Sequence, residues 1–383
     1  MLRFLTAGES HGPALVTIVE GLPAGVEVSR AGLADELARR RHGYGRGRRM
    51  RLEEDELEIL GGVRFGRTLG SPVAVVIRNT EWPKWEREMS AEPGDGGRRL
   101  TKPRPGHADL AGMLKYDTHD ARDILERASA RETAARTVAG YLAKQLLTGV
   151  GVEIVSHVVA IGEAVAPDDR VPLPEDRERI DASPVRVLDA EAERSMIEAI
   201  DAAKEDRDTL GGVVEVVAYG IPPGVGSHVH FDRKLDARLA EALMSIQAIK
   251  AVEVGDGLRG AARRGSEAHD EIYHDGGEFT RATNRAGGTE GGMTSGGPLR
   301  VRAAMKPLST VMRPLDTVEV DTKAPEKAFR ERSDVCAVPA AGVVAEQMVA
   351  IVVAQEMQRK FGGDTLGDLQ AAVDHYRKRI ASF

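Results

Sequence analysis

Seven arginines fall within the thirteen residues from position 39 to position 51, and no carboxylate lies among them. Glycines alternate with these arginines, so the backbone of this segment can approach a ligand closely. Guanidinium groups bind carboxylates and phosphates through paired hydrogen bonds. Because the whole chain has a net charge of −7, this local concentration of positive charge predicts a strongly anionic ligand. The arginines are Arg39, Arg40, Arg41, Arg46, Arg48, Arg49 and Arg51.

Two further segments place a histidine beside groups that could share its proton. His11 lies in GESHG, directly after a predicted strand, and His107 lies in RPGHAD. Histidine is the side chain best suited to proton transfer near neutral pH. Spacing alone favours His11 as a turn residue bonded to its own loop, and His107 with Asp109 supplies too few ligands for a metal. Arg104 favours acid catalysis beside a phosphate, with a structural turn as the alternative.

Two other segments favour anion binding through backbone N–H groups. Residues 127–133 read RASARET, where Ser129 and Glu132 fit a capping box, and a helix start flanked by arginines is also an anion site. Residues 287–310 combine six glycines with KPLST, which could form a backbone nest and a phosphate-binding group. Asp334, in RSDVC, is either a catalytic carboxylate or a helix cap, and composition does not decide between them.

Composition describes a globular chain and excludes several classes. The 383 residues are 42% apolar and 30% charged, which is enough for one large core or two medium ones and argues against disorder. The single cysteine, Cys336, excludes an internal disulfide framework, and the N-terminus does not resemble a signal peptide. Residues 343–357 are apolar but contain Glu346, so they predict a buried helix instead of a membrane span. The expected location is the cytoplasm.

Strands and helices predicted from periodicity must position these residues. Helices are predicted at about 129–147 and 232–250. The polar, Gly- and Pro-rich stretch 82–105 is predicted to be a long loop, and such loops are more often functional than idle. Strands are predicted at 14–20, at two places within 56–77, at 152–161 and at 213–219.

One pattern occurs twice along the chain. Residues 16–26 and 214–225 each run from a β segment through a Gly-x-Pro-x-Gly-Val turn into a helix with leucines four apart. Two independent turns could produce this similarity. An ancient duplication could also produce it, and would place related β-α units near 14–40 and 213–250 in one intertwined domain.

Competing classes of protein fit the motifs less well. GDGLRG at 255–260 matches a dinucleotide-binding fingerprint, but the following AARRGS does not continue a Rossmann helix. A nucleic-acid binder would need a broad basic face with stacking aromatics, whereas the arginine run contains only Tyr44 and the chain is acidic. A flavin or nicotinamide oxidoreductase with net hydride transfer remains an alternative.

Taken together, the segments resemble the chorismate synthase family from Phe4 to about Phe361. The three signature stretches of that family are similar to GESHG at 8–12, ERASARETAARTVAGYL at 126–142 and RSDVCAVPAAGVVAE at 332–346. The resemblance implies conversion of 5-enolpyruvylshikimate 3-phosphate to chorismate and phosphate, by an anti-1,4-elimination that requires reduced FMN without net redox change. It also implies one α+β domain over residues 1–383, a β-α-β sandwich unlike a Rossmann fold, and a homotetramer.

The resemblance also assigns roles to individual positions. His11 would protonate or balance the reduced flavin, His107 would donate a proton to the departing phosphate, and Asp334 would relay a proton at the flavin N5 side. The positions matched to substrate binding are Ser10, Arg40, Arg46, Arg49, Arg104 and Arg131. The positions matched to the flavin or to a nucleotide are Arg40, Arg46, Arg127, Ala128, Ser129, Gln247, Ala248, Gly291, Lys306, Pro307, Leu308, Ser309, Thr310 and Arg332. Many relatives have serine where this chain has Ala128, and NADPH as a reductant is compatible with these positions.

Overall fold

The computed structural model describes residues 1–47, 55–94, 97, 99–168, 170–276, 278–329 and 333–383. Strands and helices alternate along these ranges, with short 3-10 turns at Trp82–Lys84, Ala130–Glu132, Pro174–Asp176 and Phe231–Arg233. Predicted Arg48, Arg49, Arg51 and Arg332 lie outside the described residues.

The strands are short and the helices fall into long core helices and short connecting ones. The strands are β1 (Arg3–Ala7), β2 (Ala14–Glu20), β3 (Glu56–Gly61), β4 (Val63–Arg64), β5 (Arg67–Thr68), β6 (Val73–Arg78), β7 (Glu153–Ile161), β8 (Ala164–Val165), β9 (Gly212–Tyr219), β10 (Ile249–Val254), β11 (Ile272–Asp275), β12 (Glu278–Arg281), β13 (Thr289–Glu290), β14 (Met293–Thr294), β15 (Leu299–Met305), β16 (Asp316–Val318) and β17 (Pro325–Lys327). The helices are α1 (Arg30–Arg41), α2 (Asp109–Tyr116), α3 (Arg122–Ala128), α4 (Thr133–Thr148), α5 (Arg177–Ala182), α6 (Ala190–Glu205), α7 (Leu235–Met244), α8 (Gly257–Ala261), α9 (Gly265–Ala268), α10 (Val338–Phe361) and α11 (Leu366–Ala381).

Two larger antiparallel sheets carry the helices. The first has the strand order β1-β2-β6-β3 and the second has the order β10-β15-β9-β7-β8. In β2, Leu15, Thr17 and Val19 are buried while Ile18 is exposed, which is the alternation of a sheet with one covered face. The mixture of helices with antiparallel sheets agrees with the predicted α+β class, and the strand pairs within the two larger sheets are antiparallel, unlike those of a Rossmann fold.

Two long helices connect the sheets through one hydrophobic cluster. Helix α4 contacts β2 and α1, and helix α10 contacts α4, β7 and β9. Side chains from the first sheet, from these helices and from the second sheet belong to the same buried cluster, which extends from Leu2 to Val373. Burial of this continuous apolar surface is the main term that stabilises the fold.

Helix α10 is long and apolar enough to cross a membrane, but 94% of its most apolar window is buried inside the protein. Glu346 and Gln347 lie within it and make buried hydrogen bonds to Ser156 and Glu36. The helix is therefore a core helix, as its buried polar residues predicted.

Two helix predictions require correction at their ends. The helix predicted at 129–147 begins at Thr133, because Ser129 accepts a hydrogen bond from Arg131 N and starts a 3-10 turn first. The helix predicted at 232–250 ends at Met244, and the chain becomes strand β10 from Ile249. Between them Ala248 adopts φ +67°, a left-handed conformation that ends a helix.

Candidate functional site

A cavity of about 1640 Å³ opens where the ends of several elements meet. The end of α1, the starts of α4 and α10, the end of β15 and the turn after α7 all contribute lining residues. The N-termini of α4 and α10 therefore face one space. Each helix N-terminus has unsatisfied N–H groups and a partial positive charge of about +0.5, so this geometry favours negative ligands.

Cationic side chains surround the cavity. Arg40 is 3% exposed and its Nη1 donates to Thr133 Oγ1 at 3.3 Å. Arg131 pairs with Asp55 at 2.7 Å, and Arg46 pairs with Asp334 at 2.8 Å. Burial and the charge of Lys250 lower the pKa of Lys306 from its ordinary value. The arginines that line the cavity present guanidinium groups to it, so we expect its ligand to be anionic.

The imidazole of His11 is fixed on its Nδ1 side by Glu126. Nδ1 lies 2.9 Å from Glu126 Oε2 and 3.1 Å from Oε1, and the backbone N–H of His11 donates to Oε2 at 2.9 Å. Arg122 donates to Oε1 at 2.9 Å. Burial raises the pKa of Glu126, but hydrogen bonds and charge from His11, with the charge of Arg122, bring it below its ordinary value. Glu126 is therefore ionised.

One face of the His11 ring is covered by Trp85. The two ring centroids are 4.0 Å apart with a tilt of 34°. The guanidinium of Arg122 lies over the indole ring of Trp85, 5.0 Å from the ring centroid, and makes a cation–π contact with it. Trp85 belongs to the segment 82–105 that was predicted to be a functional loop, and the segment also contributes Lys84 and Glu88 to the cavity lining.

The second histidine forms a compact network with Asp109 and Arg104. His107 Nδ1 makes a short contact with Asp109 Oδ1, and Arg104 Nε and Nη2 donate to the two oxygens of Asp109 at 2.9 and 3.2 Å. Arg104 Nη1 also donates to Thr310 Oγ1 at 2.9 Å. Burial raises the pKa of Asp109, but His107 and Arg104 outweigh it and lower the pKa to about 2. The carboxylate can therefore stabilise a protonated His107.

Asp334 lies at the start of α10 and is fixed by the arginine segment. Gly47 N donates to its Oδ1 at 2.7 Å, and Arg46 contacts its Oδ2. Ser10 lines the same cavity, and its N–H donates to the carbonyl of Glu126 at 3.0 Å. The structure thus brings Asp334 and Ser10 to one cavity.

Several of the positions matched to flavin binding lie at the end of β15 and in the turn before β10. Lys306 N donates to Ala248 O at 2.9 Å, and Lys306 Nζ donates to Gly106 O at 2.7 Å. Gln247 Nε2 donates to Glu132 at 3.3 Å, whereas its buried Oε1 has no hydrogen-bond partner within the described part of the chain. A buried acceptor of this kind fits a ligand that carries an N–H or O–H donor.

Some matched positions do not line the cavity. Arg127 turns its guanidinium toward β1, where it donates to Thr6 O at 2.9 Å and to Gly8 O at 3.0 Å. Gly291 is exposed in the turn between β13 and β14, and Pro307 lies between lining residues without lining the cavity itself. The matched positions that do line it are Ser10, His11, Arg40, Arg46, Arg104, His107, Ala128, Ser129, Arg131, Gln247, Ala248, Lys306, Leu308, Ser309, Thr310 and Asp334.

Sequence reasoning did not single out Glu126, Arg122 or Trp85. Glu126 was named only as part of the signature stretch at 126–142. Trp85 is one of only two tryptophans in the chain. By contrast Cys336 is 0% exposed and burial raises its pKa to about 11, in agreement with its interpretation as a small buried side chain.

The fold and the cavity define an α+β protein whose site is built for anions, with carboxylate-paired histidines beside the cations. Comparison with known proteins makes the assignment specific. The family model described as chorismate synthase matches residues 2–358. The chain therefore belongs to the chorismate synthase family, which makes it a lyase that forms chorismate in the shikimate pathway.

Relatives and a solved structure are similar over almost the whole chain. Chorismate synthase of Acidothermus cellulolyticus is 63% identical, with 98% of this chain and 99% of the relative covered. Chorismate synthase of Thermobifida fusca is 61% identical, with 96% of each covered. A crystal structure of chorismate synthase has a TM-score of 0.81 at 41% identity, over 100% of this chain and 99% of that chain. Members of this family need a reduced flavin.

Proposed function

We propose that this chain converts 5-enolpyruvylshikimate 3-phosphate to chorismate and phosphate by an anti-1,4-elimination that uses reduced FMN and causes no net redox change. The observation that carries the proposal is the composition of the cavity. One space collects arginines, two lysines and two helix N-termini together with two histidines, each paired with a buried carboxylate.

The cations suit the charge of this substrate and cofactor. The substrate has two carboxylates and one phosphate, and FMN adds a second phosphate. Burial of these groups without counter-charges would cost many kcal/mol, and the arginines offset that cost. A pocket for one drug-sized ligand has about 300–1000 Å³, so the observed cavity of about 1640 Å³ is large enough for both molecules.

Reduced FMN, when bound, supplies the electron density that permits loss of phosphate and of a ring hydrogen that is not acidic. Lys306 to Thr310, with Gln247 and Ala248, are the residues that we propose hold it. Gln247 Oε1 fits because it is buried and has no hydrogen-bond partner within the described part of the chain. Arg40 and Arg46 would bind a phosphate or carboxylate beside it.

The histidines and Asp334 would hold and move protons. We propose that His107 donates a proton to the departing phosphate, with Asp109 stabilising the imidazolium and Arg104 binding the charge that develops. His11 would place a proton beside the cofactor. Asp334, together with Ser10, would relay a proton at the cofactor, and both residues line the cavity.

An anaerobic assay with photoreduced FMN tests the proposal directly. We expect one chorismate and one phosphate for each substrate, with catalytic FMN and no reductant consumed. Stoichiometric consumption of a reductant would instead identify an oxidoreductase. A parallel assay with oxidised FMN and NADPH tests whether NADPH can serve as the reductant.

A variant of the proposed acid sharpens this test. His107→Ala should bind FMN as the unmodified chain does but lose roughly 10²–10⁴-fold in turnover, the usual contribution of a general acid. Unchanged turnover with pre-reduced FMN would show that His107 is not the acid.

The homotetramer and the cytoplasmic location are also proposals. They rest on the resemblance to the family, and the single-cysteine composition supports a reducing compartment. Light scattering coupled to gel filtration measures the assembly, with about four times the 41.2 kDa chain mass expected.

We further propose a single domain, a β-α-β sandwich that arose by internal duplication. The first sheet has the strand order β1-β2-β6-β3, and the second contains β7-β9-β15-β10. In both sheets these four strands stand in the same arrangement relative to their order along the chain. The two Gly-x-Pro-x-Gly-Val turns are clamped in the same way by a threonine. Thr68 Oγ1 donates to Pro23 O at 2.6 Å and accepts from Val26 N at 2.9 Å. Thr294 Oγ1 donates to Pro222 O at 2.7 Å and accepts from Val225 N at 2.9 Å.

This duplication would explain where the cavity lies. Helices α1 and α7 occupy matching places after the two turns, and α4 and α10 follow β6 and β15. The cavity is lined by the end of α1, by the turn after α7 and by the starts of α4 and α10. It therefore lies where matching parts of the two halves converge.

A further inference from the structure

The loop that carries His11 is attached to Glu126 at several points. The carboxylate binds the Nδ1 of the ring and the backbone N–H of His11, and the backbone carbonyl of Glu126 accepts from Ser10 N. On the other side, Asn79 Nδ2 donates to Ser10 O at 3.1 Å and to Gly12 O at 3.0 Å. The loop is therefore fixed from both sides, and the Glu126 carboxylate also binds Nδ1 of the imidazole.

A carboxylate next to a histidine determines which ring nitrogen carries the hydrogen. An ionised carboxylate only accepts hydrogen bonds, so Nδ1 must be the donor in this pair. In the neutral ring Nε2 then has the lone pair, and in the charged ring Nε2 has the exchangeable proton. The negative charge of Glu126, which is 3% exposed, lies directly beside Nδ1, where little water screens it.

We propose that Glu126 is a positioning residue for His11, which holds the Nδ1–H form of the ring so that proton exchange with a bound ligand occurs at Nε2. This inference rests on the proposed function of His11 as a proton carrier. Trp85 supports the same orientation, because its ring covers one face of the imidazole.

The neighbourhood of the carboxylate explains why glutamate is required and not an amide. Glu126 accepts from His11 N, from His11 Nδ1 and from Arg122 Nη1. A glutamine at this position has one acceptor oxygen, and its NH₂ group would face one of these donors. Glu126→Gln therefore removes the charge and also destabilises the Nδ1–H form.

The first measurement needs no ligand. Nitrogen-15 NMR of histidine-labelled protein, with the His11 signal assigned by its loss in His11→Ala, should show the Nδ1–H form in the unmodified chain. In Glu126→Gln the signal should shift toward the Nε2–H form. An unmodified chain that already has the Nε2–H form would overturn the proposal.

The second measurement uses turnover with pre-reduced FMN. Glu126→Gln should lower kcat by roughly 10- to 100-fold, the range expected for loss of a charge-assisted hydrogen bond, with KM changed by less than about threefold. Glu126→Asp, which keeps the charge, should recover part of that loss. In a His11→Ala background the Glu126→Gln change should have almost no further effect on kcat, because the two residues act as a unit.

Glu215→Gln is the matched control. Glu215 is also a buried carboxylate beside a histidine, with Oε2 3.1 Å from His157 Nε2, but neither residue lines the cavity. It should lower the melting temperature without a comparable loss of kcat. Equal losses of kcat in both variants, or additive losses in His11→Ala with Glu126→Gln, would show that Glu126 has only a structural role.

If the unmodified chain forms no chorismate, the proposed function is wrong. The NMR measurement still tests whether Glu126 holds His11 in the Nδ1–H form.

Discussion

At the scale of single residues, the site depends on carboxylates that do not themselves face the solvent. Asp109 is 0% exposed and is bound by His107 and by the guanidinium and backbone N–H of Arg104. Such a buried charge is stable only because its partners satisfy both oxygens. The same partners fix the direction of the His107 ring and the position of the Arg104 fork.

Replacement of this carboxylate by an amide should impair catalysis more than folding. Asp109→Asn keeps the volume but removes the negative charge that stabilises a protonated His107. We expect kcat for chorismate formation to fall by roughly 100-fold or more, the contribution of a positioned general acid, while the chain still folds by circular dichroism.

Asp256→Asn provides the control for that prediction. Asp256 is 8% exposed and pairs with Arg259 and Arg263, but it does not line the cavity. It should leave kcat within about twofold. Equal kcat in Asp109→Asn and in the unmodified chain would show that His107 needs no carboxylate partner.

The sequence indicated most of the reactive residues but not their partners. His11 and His107 could be recognised because glycine and proline neighbours place them on tight loops. Glu126 is 115 residues from His11 along the chain, and no local pattern encodes a pairing over that distance. The pairing of His107 with Asp109 could be predicted from the sequence because only one residue separates them.

At the scale of elements, the two core helices approach closely at a glycine. A Cβ atom added to Gly140 in α4 would lie 2.3 Å from Gln347 Cβ and 2.8 Å from its Cα in α10. Helix α10 cannot move away, because its other side packs on the second sheet. The close approach also sets the distance between the two helix N-termini that face the cavity.

A methyl group at this crossing should therefore destabilise the protein. Gly140→Ala should lower the free energy of unfolding by about 1–3 kcal/mol, the usual cost of overpacking, as measured by urea denaturation. Gly367→Ala in α11 is the control, because its nearest atom would be 3.7 Å away and alanine favours helices by about 1 kcal/mol. Loss of stability in the control but not in Gly140→Ala would contradict the tight crossing.

The clamped turns give a second test at this scale. Thr68→Val and Thr294→Val each remove a hydroxyl that donates to a proline carbonyl and accepts from a valine N–H. Each change should cost about 1–3 kcal/mol because it leaves two buried backbone groups unsatisfied. Similar losses by thermal unfolding support matching structural roles, and a loss in only one variant would argue against them.

Periodicity predicted the core of each element better than its ends. The strands and the repeated turn were recognisable because β-branched runs and Gly-x-Pro-x-Gly have local causes. The end of α7 was missed because the segment after Met244 contains neither glycine nor proline. The left-handed Ala248, whose carbonyl accepts from Lys306 N, lies in the turn between the end of the helix and β10.

At the scale of the whole molecule, the core contains a network of charges between α1, α4 and α10. Glu346 is 0% exposed and accepts from Lys144, Arg39 and Ser156. Glu36 accepts from Lys144 and Arg39 as well. Replacement of one partner would leave an uncompensated buried charge, so these groups stabilise the fold only as a complete set.

These buried carboxylates make the stability of the protein depend on pH. Lys144 and Arg39 outweigh the effect of burial and lower the pKa of Glu36 to about 2. His157 and two arginines do the same for Glu215, whose pKa is also about 2. An ordinary glutamate has a pKa near 4.5. A lowered folded-state pKa means that the unfolded chain binds more protons between these values, so stability is lost as pH falls.

The free energy of unfolding should therefore be nearly constant above pH 5 and should fall steeply from about 4.5 toward 2. Each of the two glutamates contributes about 3 kcal/mol to this decline, at about 1.4 kcal/mol per pKa unit. Urea denaturation at pH 7, 5, 4 and 3 measures it. Glu215→Gln should be less stable at pH 7 and should also have a shallower decline, because glutamine does not titrate. Parallel curves for this variant and the unmodified chain would show that Glu215 does not contribute to acid unfolding.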